Sequence, residues 1–191
     1  MLISDLHLFL ESCVSGITLQ NRDGSPYHLL GTDILQMVQS YLKDSEFFLG
    51  KGDIVNQFAS LVYAFGWLDA GSYLGLYHSS SDPECLERIV FPGEYDREHL
   101  VLKTDKYLTM LGNAILSVSI FPCSGSPLAP AADKCLSMAK DSHTCAEELF
   151  GEKQYISALR HLCYGYGWLD TAVRAGLMKV HSNFDLFTTE F

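Results

Sequence analysis

The sequence predicts an all-α protein: a bundle of six main helices, made of two tandem three-helix repeats related by a pseudo-two-fold axis. Three observations lead there. Gly66-Trp67-Leu68-Asp69 returns 101 positions later as Gly167-Trp168-Leu169-Asp170. Apolar residues recur at steps of three and four through long segments. No segment alternates as a strand does. The offset of 101 runs without a gap from Gly24-Ser25-Pro26 and Gly125-Ser126-Pro127 to Leu76 and Leu177, and 15 of those 53 pairs are identical. Upstream, an offset of 100 aligns Ser4-Asp5 with Thr104-Asp105 and Leu8 with Leu108, which places a one-residue gain or loss ahead of the Gly-Ser-Pro turn. A unit of roughly ninety residues present twice makes a pseudo-dimer, because a solenoid needs three or more stacked units. The expected halves are 1–92 and 93–191, sharing one core.

The first helix is expected over 4–19. Ser4 or Asp5 can cap it, and Leu6, Leu10, Cys13, Val14 and Ile17 follow helical spacing. Residues 20–26 hold turn chemistry. A second helix is expected from a Thr32 or Asp33 cap, with Ile34, Val38, Tyr41, Ser45 and Phe48 on one stripe and Gly50 just past its end. Asp53 then caps a third helix, and so short a link makes helices two and three an antiparallel hairpin. The third helix carries Ile54, Phe58, Leu61, Phe65, Leu68 and Ser72 on a stripe matched by Tyr155, Leu159, Leu162, Tyr166, Leu169 and Val173. Residues 79–92 read as a connector with a short helix over 83–90. Helices follow over 94–120, 131–150 and 153–180. The tail over 182–191 has no readable period.

Length, composition and charge narrow the function classes. The 191 residues are 48% hydrophobic and 19% charged, which suits a sizeable core. The formal net charge of −10 argues against a large nucleic-acid footprint. No apolar run approaches the roughly 20 residues of a membrane span. The N-terminus lacks a basic n-region, so a cytoplasmic location is expected. Six cysteines form no C-x-x-C and do not match between repeats, so they read as buried reduced thiols.

The signature helix offers the candidate site residues. Ala64, Leu68, Gly71 and Gly75 share one face, matched by Gly165, Leu169, Ala172 and Gly176. Glycine inside a helix costs roughly 1 kcal/mol relative to alanine, so something is expected to approach closely: the other repeat's helix, a neighbour within the same unit, or a ligand for which room is left. Trp67 and Trp168 flank this stripe, with Tyr63 and Tyr164 one turn earlier. They read as core packing or as a stacking platform for a flat ligand. Asp69 and Asp170 sit mid-helix, where aspartate is a poor helix former. An ion pair from Asp170 to Arg174 with a hydrogen bond from Tyr73 to Asp69, or a helix-to-helix hydrogen bond that fixes register, would account for them. Alternatively, the pseudo-two-fold brings the two carboxylates together to hold a cationic ligand or a metal.

The pattern Tyr-x-x-Gly-Trp-Leu-Asp, followed by a small residue, a basic position and Gly-Leu, resembles the signature of the archaeal Domain of Unknown Function 357 (DUF357). Here it reads Tyr63 to Asp69 and Tyr164 to Asp170, so the resemblance implies two tandem copies. It also implies a small helical domain of archaeal origin without an assigned activity, and it brings no catalytic residues. Tyr73 departs from the basic position, which Arg174 keeps.

Three function classes remain. The first is a structural or protein-interaction module without catalysis, acting as a pseudo-dimeric monomer or a weak homo-oligomer. The second is a small-ligand or metal-binding bundle using Trp67, Asp69, Trp168, Asp170 and Arg174, with Glu46, Glu147 and the i,i+4 pair His143 and Glu147 as further candidates. The Glu-x-x-His of di-metal bundles is absent. The third is a HEPN-like RNA-processing protein, for which Arg174 and His181 have the spacing. No cofactor motif and no catalytic constellation is present: Gly66, Gly71 and Gly75 lie inside a helix, not after a strand. The sequence reads as an interaction module more than an enzyme.

Overall fold

A computed structural model describes residues 1–188, so 189–191 of the aperiodic tail lie outside the described residues. The chain forms the expected six helices: α1 (Ile3–Ser15), α2 (Pro26–Gly50), α3 (Ile54–Tyr73), α4 (Arg97–Leu116), α5 (Ala129–Gly151) and α6 (Tyr155–Arg174). The hairpins α2–α3 and α5–α6 pack against each other through α3 and α6 at the centre, while α1 and α4 flank them. A single apolar cluster runs through both halves.

Several boundaries differ from expectation, each for a local reason. The α1 cap is Leu2, and Asp5 at the third helical position accepts from the Leu2 N–H at 2.7 Å. α2 starts six residues before Thr32, because Ser25 accepts from the His28 N–H at 3.2 Å and Pro26 is pre-set for the first turn. What reads as turn chemistry is thus itself a cap. Gly50 stays helical; the left-handed residue is Gly52 (φ 71°), whose counterpart is Lys153 (φ 63°). Asp53 caps α3 as expected, accepting from the Asn56 N–H at 3.0 Å.

The absence of strands is a second correction. After α4, β1 (Val118–Ile120) pairs antiparallel with β2 (Met178–Val180), and these residues leave the helices predicted to contain them. Gly176 (φ 69°) makes the reversal that ends α6. Three residues are too short to show a period. The first repeat keeps a vestige of this ribbon, a bridge between Leu19 and Tyr77, at the positions matching Ile120 and Met178. That correspondence preserves the offset of 101 upstream of the Gly-Ser-Pro turn. Burial continues it into the first helix, where Ile3 and Leu10 are buried like Thr104 and Leu111. The one-residue shift expected there is not needed. A 3-10 helix at Pro83–Arg88 takes the place expected for a short helix, and its counterpart is Phe184–Leu186.

α3 is buried on nearly every face, so the single stripe understates it. The cysteines also depart from expectation. Cys85, Cys135 and Cys163 are buried and Cys13 is half-buried, but Cys123 and Cys145 are exposed, and all six are free. Burial pushes the Cys135 and Cys163 thiols up to about 12. Among the described residues, no helix is long and apolar enough to cross a membrane.

Candidate functional site

The repeated signature forms the crossing of α3 and α6. A Cβ on Gly66 would lie 2.5 Å from the Tyr164 carbonyl oxygen and 3.1 Å from the Gly167 Cα. A Cβ on Gly167 would lie 2.7 Å from the Tyr63 oxygen and 2.9 Å from the Gly66 Cα. The two backbones touch at this pair, which is the glycine of the tetrapeptide itself. The small-residue stripe serves other contacts. Gly71 faces Tyr77 and Ile34 of its own half, and Gly165 faces Ser142 and Ala139 of α5. Gly75 (φ 72°) and Gly176 (φ 69°) turn the chain past the helix ends.

Around the crossing, each signature tyrosine serves the other copy's aspartate. The Tyr63 hydroxyl donates to Asp170, and the Tyr164 hydroxyl donates to Asp69. Each tyrosine lies three residues before its glycine and each aspartate three residues after. The reciprocal bonds therefore require α3 and α6 to pass in opposite directions, with Asp69 and Asp170 at opposite ends of the contact. Arg174 reaches Asp33 at 2.6 Å, not Asp170. Tyr73 leaves Asp69 and meets the Trp168 ring at 5.4 Å, tilted by 48°. Trp67 and Trp168 are 1% and 3% exposed, within the core, each 6.3 Å from the signature tyrosine of its own helix. His181 lies on the ribbon beside Ser119 at 2.6 Å, so Arg174 and His181 engage different partners.

A cavity of about 350 Å³ opens on the Asp170 side, between α2, α3, α4, α6 and residues 185–188. Four phenols line it: Tyr41, Tyr63, Tyr107 and Tyr166. Tyr41 meets Tyr63 edge-on at 4.5 Å, and Tyr166 lies 6.0 Å from Tyr63 and 6.5 Å from Tyr107. Its charged lining is Asp44, Asp170, Asp185 and Lys103. Lys103 donates to Asn56 and sits 4.7 Å over the Tyr107 ring. Asp170 is 1% exposed; its Oδ2 accepts from Tyr63 and from the Thr188 hydroxyl at 3.1 Å, while Oδ1 has no partner among the described residues. Burial pushes the Asp170 carboxyl up to about 7, against the opposing pull of those two hydroxyls and of the Thr188 backbone N–H. Burial also raises Tyr41 to about 12, and raises Tyr63, Tyr107 and Tyr166, so all four remain phenols at neutral pH.

The other half carries the counterpart cavity, about 290 Å³, with Tyr164, Ser142, Cys145, Arg160 and His161 in its lining. These are the positions of Tyr63, Tyr41, Asp44, Ala59 and Ser60 moved by 101. The first cavity sets four phenols and three aspartates beside Lys103; the other sets one phenol, Glu84, Glu87 and Asp141 beside Arg160 and His161. The repeats share a crossing and differ in the chemistry on either side.

Of the sequence candidates, Asp170 lines the first cavity; Trp67, Asp69, Trp168 and Arg174 line neither. Tyr41, Lys103 and Tyr107 reach the cavity from other helices. Of these the sequence marks only Tyr41, a phenol on the stripe of the second helix.

No curated protein and no solved structure matches the chain. The family model described as a protein of unknown function (DUF357) matches residues 7–77 and 106–178. These two segments span both signatures and most of the six helices. The chain thus belongs to the DUF357 family and carries its domain as two tandem copies.

Proposed function

We propose that this protein is a ligand-binding helical bundle whose acidic cavity receives a small organic cation. The carrying observation is Asp170, a buried carboxylate on the wall of a phenol-lined cavity with one oxygen unpartnered among the described residues. Phenol faces attract ammonium groups through the ring quadrupole, and a desolvated carboxylate adds charge and a hydrogen-bond acceptor. Three aspartates against one lysine make the lining acidic. Lys103 is already engaged by Asn56 and Tyr107, which leaves the carboxylate end for the ligand's nitrogen. A volume of about 350 Å³ suits a metabolite-sized molecule. Nothing in this reading calls for bond-making chemistry.

Calorimetric titration with primary amines and quaternary ammonium ions, beside carboxylates of equal size, tests it. Saturable binding of a cation that weakens at least about tenfold in Asp170→Asn supports the proposal. Preference for anions, or a cation affinity indifferent to Asp170→Asn, overturns it.

A second reading, a protein-interaction surface, draws on a different place. Tyr27, Tyr73 and Leu128 are exposed along an apolar groove where the two halves meet, with Leu30, Leu74 and Pro127 beside them. A weak symmetric dimer would cover this groove. Sedimentation equilibrium checks it: concentration-dependent dimerisation abolished by Tyr73→Ser supports it, and a monomer at every concentration removes it.

A further inference from the structure

We infer that the first repeat holds a divalent transition-metal site formed by His7 and Glu11 of α1 and Glu46 of α2. It lies apart from the acidic cavity and does not depend on it. One ligand atom from each residue lies within 4.8 Å of the other two. His7 Nε2 is 3.5 Å from Glu11 Oε1 and 3.6 Å from Glu46 Oε1. Those separations exceed the 2.7–3.2 Å of an N–H···O hydrogen bond. They approach the roughly 3.3–3.4 Å between ligands of one tetrahedral ion with bonds of about 2.0–2.1 Å.

The imidazole is also set for the task. Ser45 is fully buried in α2, and its hydroxyl donates to the Leu42 carbonyl at 2.7 Å. Its proton being committed there, Ser45 accepts from His7 Nδ1–H at 2.8 Å. That directs Nε2 toward the two carboxylates, where a divalent ion can take its lone pair. Holding the far ring nitrogen by a hydrogen bond is the usual way a metal-ligating histidine is oriented. The carboxylates are half exposed or more, so an ion can enter and keep water on its open positions.

The second repeat is a built-in comparison. It keeps the glutamate as Glu147 but has Leu108, Gly112 and Ala146 where the first has His7, Glu11 and Ser45. His143 there uses Nε2 on the Leu108 carbonyl at 3.1 Å and pairs through Nδ1 with Glu147 at 3.5 Å, but among the described residues no second carboxylate joins them. A buried serine in one copy and alanine in the other fits a polar group kept for the histidine. One imidazole with two carboxylates suits a first-row ion over calcium or magnesium, which favour all-oxygen sets.

The test is cobalt(II) titration of the full chain followed by visible absorption, since cobalt reports ligand type. One equivalent is expected to give ligand-field bands without a thiolate charge-transfer band. His7→Ala and Glu46→Gln should each weaken binding at least about tenfold, and Ser45→Ala roughly 10–100-fold, the range for lost orienting partners. His143→Ala should change nothing. Glu46 is exposed, so Glu46→Gln reads the site without risk to the fold. A thiolate band, a titration unchanged in His7→Ala and Glu46→Gln, or no saturable binding overturns the inference.

Discussion

Replacing Gly66 by alanine tests the crossing most sharply, because the new methyl would meet backbone on the opposite helix. Its Cβ would sit 2.5 Å from the Tyr164 carbonyl oxygen and 3.1 Å from the Gly167 Cα. Ordinary non-bonded separation requires the oxygen to retreat by about 1 Å. No side chain can rotate away, so α3 and α6 must part or slide, loosening the contacts of Phe65 and Leu68, both fully buried. Overpacking costs typically about 1–3 kcal/mol, and a backbone-on-backbone clash belongs at the upper end. Alanine regains about 1 kcal/mol of helix propensity over glycine. The net expectation is a loss of about 2 kcal/mol. At about 2–4 °C per kcal/mol for a chain of this size, the midpoint should fall by about 4–8 °C. Urea denaturation with an unchanged m-value is the assay. Gly50→Ala is the control: it lies at the end of α2 with no atom near its would-be Cβ, and should stabilise by up to about 1 kcal/mol. A Gly66→Ala variant as stable as wild type would refute the close crossing.

Further outcomes follow from the groups around it. Tyr63→Phe removes a donor from a buried carboxylate and should cost about 1–3 kcal/mol in urea melts; Tyr164→Phe should cost less, since Asp69 is only half-buried. Because the Asp170 carboxyl is raised from 3.8 to about 7, the folded chain holds a proton that the unfolded chain has released. Its stabilising contribution is complete below about pH 4 and is lost as the pH rises to about 7. Asp170→Asn should flatten that slope and be the more stable form at pH 8, as denaturation at pH 5 and pH 8 will show. Arg174→Ala breaks an ion pair whose partners are both 39% exposed, so its stability in the same urea melts should fall by no more than about 1 kcal/mol.

The sequence made the helices and their duplication legible because both are local or periodic: caps such as Asp53 and a tetrapeptide containing tryptophan are visible in one dimension. Boundaries failed where one local feature had two readings. Ser25-Pro26 is a turn dipeptide and also a helix start, and only the His28 N–H at 3.2 Å decides it. The ribbon escaped because Val118–Ile120 and Met178–Val180 define each other only by pairing across sixty residues of sequence. For the signature, the sequence identified Tyr63, Gly66 and Asp69 but not their partners. A helix-to-helix hydrogen bond is one of the readings the aspartates allow, but the only partner for Asp170 visible along the chain is Arg174, four residues on, whereas the actual partner is Tyr63 in the other repeat. The acidic cavity was hidden for the same reason: Tyr41, Lys103 and Tyr107 join Asp170 only through the packing of four helices. His7 and Glu11 have an i,i+4 spacing that can be read directly, yet Glu46 completes the cluster from another helix.

The central claim is that Asp170 is a ligand-receiving carboxylate within an otherwise structural crossing. Carbon-13 NMR of its side-chain carboxyl, titrated from pH 4 to 9 with and without a saturating organic ammonium ion, tests it most directly. The account predicts titration at about 7 in the free protein. It predicts a clear downward shift when the cation is bound, because a neighbouring positive charge favours the ionised form. A carboxyl that titrates identically with and without the cation would contradict it.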